Sequence, residues 1–95
     1  MYYVYILYSL KDTDFYTGYS SNLELRVKEH QNGLVESTRH RRPLRLVYYE
    51  AYISEANARS REVFYKSGRG RETIRKILKE TLENINSLSP DGGVV

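Results

Sequence analysis

The sequence contains no cysteine and no tryptophan, and only two of its 95 residues are proline. Without cysteine, the chain can form neither a disulfide framework nor a thiolate zinc site. It also lacks an apolar run of membrane-spanning length and an N-terminal basic segment followed by a long apolar stretch, so we expect a cytoplasmic protein with no membrane partner. With 40% hydrophobic and 28% charged residues, the composition is typical of one folded domain with a modest core.

Positive charge is concentrated in two segments. Residues 26–45 hold six Lys/Arg against two Glu, and residues 59–79 hold eight against two, although the net charge of the whole chain is only +3. This clustering favours a polyanionic partner, because each contacted phosphate adds a salt-sensitive contribution to binding. A solvated basic surface without any partner explains the same pattern.

Tyrosine is abundant, with ten in the chain. Residues 1–9 and 14–20 are aromatic and β-branched and are separated by a polar, turn-prone stretch, which predicts a β-hairpin. Because a buried phenol needs a hydrogen-bond partner, we expect Tyr5 and Tyr16 to point at a cleft; the alternative is a tyrosine-rich core. Gly18 shares the face of Tyr16 and marks a place where something must approach the strand closely.

A helix is predicted directly after the hairpin. Asn22 is a good N-cap and Gly33 is a typical residue just past a helix end, so the helix covers about residues 23–32. Arg26 and His30 are four residues apart and therefore point the same way, close to the edge of the buried stripe. The structural alternative is an exposed arginine next to a half-buried histidine.

Residues 33–43 show no sustained periodicity and end at a proline, which predicts a basic loop. Residues 44–53 are again aromatic and β-branched and are predicted to form a third strand. Ser54 then caps a second helix that runs to about Lys66. In this helix Glu62 lies beside the core boundary, where it either has a function or forms a surface pair with Lys66.

Two glycines within residues 67–71 are predicted to break the second helix before a third one over about residues 71–84. Glycine and arginine ahead of a helix N-terminus are suited to contact phosphate through backbone N–H groups. The segment lacks the Lys-Ser/Thr of a nucleotide-binding P-loop and does not follow a strand, so NTP binding is excluded.

The predicted element order is strand, strand, helix, strand, helix, helix. This order indicates an α+β domain in which helices flank a small, mostly antiparallel three-stranded sheet. We expect residues 1–84 to form this single domain and residues 85–95 to be a disordered tail.

Two tripeptides of the hairpin carry a family resemblance. Tyr3-Val4-Tyr5, followed about ten residues later by Tyr16-Thr17-Gly18, resembles the paired motif of the GIY-YIG nuclease superfamily. It is most similar to small single-domain members related to the N-terminal nuclease module of excinuclease C. Tyrosine and valine replace the glycine and isoleucine of the first motif. The resemblance extends over roughly residues 2–82, but an asparagine found late in larger members has no clear match.

The resemblance implies a metal-dependent DNA endonuclease of the GIY-YIG fold. In it Tyr5 would act as general base toward water, and Arg26 would stabilise the charge of the transition state. Glu62 would hold one divalent cation, Mg²⁺ or Mn²⁺, against the leaving oxygen. Tyr16 and His30 would orient water, metal or phosphate.

The resemblance also implies that Gly18 lets backbone and substrate come close. Combined with the charge pattern, it predicts six basic residues that flank the cleft and contact DNA phosphates, namely Arg39, Arg41, Arg42, Lys66, Arg69 and Arg71. The substrate stays open between branched, single-stranded, damaged or plain duplex DNA, or even RNA. Two other functions also stay open: a non-cleaving nucleic-acid-binding module that acts with partners, and an RNA-binding sheet whose tyrosines stack bases.

Overall fold

A three-stranded antiparallel sheet with helices against it forms the fold, as the sequence predicts. The computed structural model describes residues 1–87. In chain order its elements are β1 (Tyr2–Ser9), β2 (Phe15–Ser20), α1 (Leu23–Gln31), β3 (Leu44–Tyr52), α2 (Glu55–Lys66), α3 (Gly68–Ile77) and α4 (Lys79–Ser87). The strand order is β2-β1-β3, and both pairings are antiparallel. None of the helices within residues 1–87 is long and apolar enough to cross a membrane.

The central strand β1 is covered on both faces, which explains why its sequence is apolar at consecutive positions. On one face Val4 and Ile6 belong to a core that includes Tyr65 of α2 and Ile74 of α3. On the other face Tyr5 and Leu7 pack with Leu44 and with side chains of α1. Because successive residues of a strand point to opposite faces, Tyr5 is directed toward α1.

The helix α1 follows the local signals in the sequence. The side chain of Asn22 accepts a hydrogen bond from the backbone N–H of Leu25, as expected of an N-cap. Gly33, just after the helix, has φ +78°, a left-handed conformation that glycine adopts at little cost. His30, in the last turn, is completely buried.

The basic segment before β3 contains more structure than the predicted loop. Residues Arg39–Arg41 form a single 3₁₀ turn. Two buried hydroxyl groups lie at this segment: Thr38 just before the turn, and Ser9 at the end of β1, whose Oγ donates to the Arg41 carbonyl at 2.6 Å. The segment is therefore attached to the sheet, because its backbone polar groups have partners inside the protein.

The predicted glycine break between the second and third helices is wrong in detail. Ser67 alone ends α2, and its Oγ also caps α3 by accepting from the N–H of Gly70. A Cβ at Gly70 would lie 1.9 Å from the carbonyl oxygen of Phe64, so this glycine lets α2 and α3 touch. Its N–H is already bonded to Ser67, which removes the predicted phosphate contact there.

The predicted third helix is two helices. The helix α3 ends at Ile77 with Leu78 as its C-cap, and α4 continues to Ser87, three residues beyond the predicted domain end. The rest of the predicted tail, residues 88–95, lies outside the described residues.

Candidate functional site

The predicted site residues come from four elements of the fold. Tyr5 lies on β1, Tyr16 on β2, Arg26 and His30 on α1, and Glu62 on α2. The first four make direct contacts on the α1 side of the sheet, and Glu62 is close enough to Tyr5 to act on it electrostatically. Side chains up to 57 positions apart in the sequence are thus brought together.

A chain of buried hydrogen bonds lies at the centre. The hydroxyl of Tyr5 is 2.8 Å from Nε2 of His30, and Nδ1 of His30 is 2.7 Å from Oγ1 of Thr38. All three side chains are almost completely buried. When the imidazole proton is on Nδ1, Tyr5 donates to His30 and His30 donates to Thr38, whereas the other tautomer reverses both bonds.

Tyr16 and Arg26 surround the same phenol. The ring of Tyr16 lies 5.0 Å from the imidazole of His30 and 6.5 Å from the ring of Tyr5, measured between centroids. The guanidinium of Arg26 is close enough to Tyr5 to lower the pKa of its phenol, and it forms an ion pair with Glu29 at 3.0 Å. Arg26 is only partly buried, so its remaining N–H groups are available to an anion.

Burial raises the pKa of Tyr5 to about 12, although the nearby guanidinium of Arg26 opposes this shift. The nearby Tyr16 and Glu62 add to the increase because negative charge disfavours a phenolate. Tyr5 is therefore protonated at neutral pH, and its proton needs an acceptor before the oxygen can act as a base.

Burial also lowers the pKa of His30 to about 4, and the positive charge of Arg26 lowers it further, against a smaller opposing effect of Glu29. The imidazole is uncharged at neutral pH. The accessible surface of His30 is 0% and that of Tyr5 is 1%, so both side chains are enclosed in this structure. The two ring nitrogens of His30 contact Tyr5 and Thr38, and the role of His30 in orienting water, metal or phosphate stays a prediction.

Glu62 is half-buried between two cations. Its carboxylate lies 3.0 Å from Nζ of Lys66 and 3.6 Å from the guanidinium of Arg59. The surface pair with Lys66 is thus present, and it coexists with the proximity to Tyr5. Residues 1–87 contain no group of three or more His, Asp or Glu side chains that could hold a metal ion. A single carboxylate fits only a cation that keeps most of its water ligands, as Mg²⁺ does.

Gly18 is required for a different reason from the predicted one. Gly18 pairs directly with Tyr5 across the hairpin, and the ring of Tyr5 lies over it. A Cβ at this position would be 2.3 Å from both Cζ and the hydroxyl oxygen of Tyr5. The glycine therefore makes room for the phenol, and a close approach of substrate at Gly18 stays a prediction.

Three of the six predicted DNA-contacting residues meet beside the site. Arg41, Lys66 and Arg71 line a pocket of about 280 Å³ together with Tyr16. The other three are Arg39, Arg42 and Arg69. They are exposed, on the segment before β3 and in the first turn of α3, and they do not line this pocket within residues 1–87.

Two features of this region lie beyond the sequence prediction. The first is the contact of Thr38 with the imidazole of His30, which could not be predicted because Thr38 lies in a segment whose sequence predicts only a loop. Glu50 on β3 accepts hydrogen bonds from the phenols of Tyr48, Tyr52 and Tyr65 and binds Arg61 of α2 through both its oxygens. The flanking aromatic residues predict only a strand there, because the partners Arg61 and Tyr65 are more than ten residues away in the sequence.

Comparison with known proteins decides the family. The model of the GIY-YIG catalytic domain matches residues 1–75. The chain belongs to the GIY-YIG family. It is similar to a UPF0213 protein of Clostridium perfringens, with 39% identity over 87 residues that make up 90% of this chain and 92% of the relative. A UPF0213 protein of Natronomonas pharaonis is 41% identical over 80 residues, covering 83% and 93%.

A solved structure supports the same assignment. The solution NMR structure of a UPF0213 protein from Bacillus halodurans superimposes with a TM-score of 0.56 at 38% identity, covering 94% of this chain and 98% of that one. The family predicted from the hairpin motifs and the α+β fold predicted from the order of strands and helices are therefore confirmed.

Proposed function

We propose that this GIY-YIG protein is a divalent-metal-dependent endonuclease that hydrolyses phosphodiester bonds in DNA. The observation that carries the proposal is the contact of Tyr5 with both His30 and Arg26, with Glu62 nearby. A buried phenol with a neutral imidazole on its oxygen and a guanidinium beside it is suited to move a proton next to a bound phosphate.

The proton transfer follows from the hydrogen bonds. In the proposed step the oxygen of Tyr5 takes a proton from the attacking water while its own proton passes to the lone pair on Nε2 of His30, which is uncharged at neutral pH. Because the pKa of His30 is lowered and that of Tyr5 is raised, this transfer is uphill and has to be driven by bond formation to phosphorus. The water oxygen then bonds to phosphorus and the bond to the leaving oxygen breaks. Thr38 holds the imidazole in place through Nδ1.

Arg26 and Glu62 serve to stabilise the negative charge that develops on the phosphate and on the leaving oxygen. The half-exposed guanidinium of Arg26 presents a planar fork to the oxygens of the transition-state phosphate. A Mg²⁺ or Mn²⁺ ion held by the carboxylate of Glu62 would supply the positive charge that neutralises the leaving oxygen.

The test is an activity screen of the purified full-length protein. End-labelled flap, fork, single-stranded and duplex DNA, and the matching RNAs, are incubated with Mg²⁺, Mn²⁺ or EDTA. We expect metal-dependent cleavage of at least one DNA, and Tyr5→Phe should lower its rate by about 10²-fold or more, in the range for loss of a general base. Tyr8→Phe is the matched control, since its hydroxyl lies on the opposite face of β1 near Asn86.

A second function, nucleic-acid binding without cleavage, is favoured by two observations. The raised pKa of Tyr5 and the pairing of Glu62 with two cations are also what a site without catalytic work would show. Binding in the screen without cleavage of any substrate would select this function. A sheet that stacks RNA bases is disfavoured, because Tyr5 and Tyr8 on the central strand are buried and do not form an exposed row.

A further inference from the structure

We infer that the pocket lined by Arg41, Lys66 and Arg71, called here the flanking pocket, binds a backbone phosphate of the substrate strand adjacent to the one that is cut. The inference rests on the proposed function, because it assigns a second subsite to the same cleft. Of the six residues predicted to contact DNA, it assigns three, Arg41, Lys66 and Arg71, to one phosphate.

Two of the three cations, Lys66 and Arg71, lie on either side of the junction between α2 and α3, and the fold brings the third, Arg41, to them from a distant part of the sequence. Arg41 ends the 3₁₀ turn, Lys66 ends α2, and Arg71 lies near the start of α3. With Tyr16 and Thr17, and with Phe15, Tyr65 and Ile74 on its apolar side, they surround a concave space of about 280 Å³. A concave site that combines several positive charges with hydroxyl donors is suited to a phosphate group.

The ion pairs of these residues leave the pocket able to accept an anion. The Nε of Arg41 is 2.6 Å from the carboxylate of Asp12, and its Nη2 donates to the carbonyl of Phe15. These contacts fix the position of the Arg41 guanidinium on one side of the pocket. Arg71 has only a loose pair with Asp14 at 3.7 Å, and its side chain is about half exposed. Such a pair contributes little to stability and is readily exchanged for a phosphate.

The position of the pocket indicates which phosphate it takes. Tyr16 lines the pocket and also contacts the imidazole of His30, while Lys66 lines it and pairs with Glu62. The flanking pocket is therefore connected to the Tyr5 cluster through Tyr16 and to Glu62 through Lys66, while Phe15, Tyr65 and Ile74 in its lining belong to the core on the other face of the sheet. A strand whose scissile phosphate lies at Arg26 would place a neighbouring phosphate there and would be fixed in register.

The chain offers a matched pair of variants to test this. Arg71 and Arg75 are both on α3, both pair with Asp14, and their side chains are 51% and 54% exposed, but only Arg71 lines the pocket. Arg71→Gln and Arg75→Gln remove the same charge from the same region. Circular dichroism melting checks that both variants fold.

Binding is measured by fluorescence anisotropy in EDTA, with a fluorescein-labelled 20-nucleotide single strand and its duplex, over a series of salt concentrations. Loss of one phosphate contact lowers the slope of log affinity against log salt by about one unit. We expect this change for Arg71→Gln and an unchanged slope for Arg75→Gln. Equal slopes for the two variants, or no binding of either probe by the wild type, would overturn the subsite.

A second measurement identifies the phosphate. A neutral methylphosphonate is placed at one linkage after another of the probe, and its effect on affinity is compared between wild type and Arg71→Gln. We expect one internal linkage whose neutralisation weakens wild-type binding but not that of the variant. If the difference instead depends on a terminal 5′-phosphate, the backbone assignment is wrong and the pocket recognises strand ends.

Because both binding measurements are made in EDTA, without divalent metal, their results do not depend on whether the protein cleaves DNA. Binding that distinguishes the variants, together with no cleavage in the activity screen, would retain the subsite and reject the nuclease. Cleavage together with indistinguishable variants would retain the nuclease and reject the subsite.

Discussion

At the scale of single residues, the close contact between Gly18 and Tyr5 gives a specific prediction. Gly18→Ala adds a Cβ that would be 2.3 Å from the phenol, so Tyr5 must shift. We expect a loss of about 1–3 kcal/mol in the free energy of unfolding, the usual range for overpacking, together with loss of cleavage.

Urea denaturation of Gly18→Ala and Gly68→Ala makes the comparison. A Cβ at Gly68 would meet nothing within 4 Å, and this glycine lies in the first turn of α3, so its substitution should be neutral or slightly stabilising. A Gly18→Ala protein as stable and as active as the wild type would contradict the contact.

The residue scale also shows what sequence reasoning can reach. Tyr5, Tyr16 and Arg26 could be predicted as a group because the hairpin motif and the face of α1 mark them. The buried state of His30 and its bond to Thr38 could not, since residue spacing gives the direction of a side chain but not its depth. Gly18 was located correctly, but strand alternation alone does not reveal which atom lies over it.

At the scale of elements, the carboxylate of Glu50 joins β3 to α2, the helix that carries Glu62. Hydrogen bonds from Arg61 and three tyrosines outweigh the effect of its burial and lower the pKa of Glu50 from 4.5 to about 2. The folded state thus favours the ionised form. Its stabilising contribution is complete above about pH 4.5 and is lost as the pH falls toward 2.

We therefore expect Glu50→Gln to lower the free energy of unfolding at pH 7 by about 1–3 kcal/mol, because the hydrogen bonds from Arg61 and the three tyrosines lose their charged acceptor. The partial exposure of Arg61 keeps the loss below that of a fully buried ion pair. The difference between wild type and variant should shrink as the pH is lowered from 5 to 2.5. Urea denaturation at each pH measures it. A difference that is constant across this range would show that the carboxylate charge is not what holds α2 to β3.

The elements themselves were predictable where their signals are local. The hairpin, α1 with its caps and the start of α2 depend on neighbouring residues, and the structure confirms them. The boundary between α2 and α3 depends on tertiary packing, because Gly70 is needed for the approach of Phe64 and not as a helix breaker. The predicted third helix is divided at Leu78, and no glycine or proline in the sequence around Leu78 predicts this division.

At the scale of the whole molecule, the central claim is that the fold brings Glu62 to Tyr5 so that one carboxylate can hold a metal ion for cleavage. Only the resemblance to GIY-YIG proteins predicts this convergence, since no periodicity relates α2 to β1. The most direct measurement compares the cleavage rate, DNA affinity and melting temperature of wild type and Glu62→Gln. Glu55→Gln is the control, because it lies on the same helix and also pairs with Arg59.

We expect Glu62→Gln to cost less than about 1 kcal/mol of stability, because its ion pairs involve exposed partners. It should bind DNA at least as tightly as the wild type, since one negative charge near the phosphate is gone, and it should lose Mg²⁺-dependent cleavage. Glu55→Gln should cleave like the wild type. Cleavage by Glu62→Gln at the wild-type rate would contradict the account.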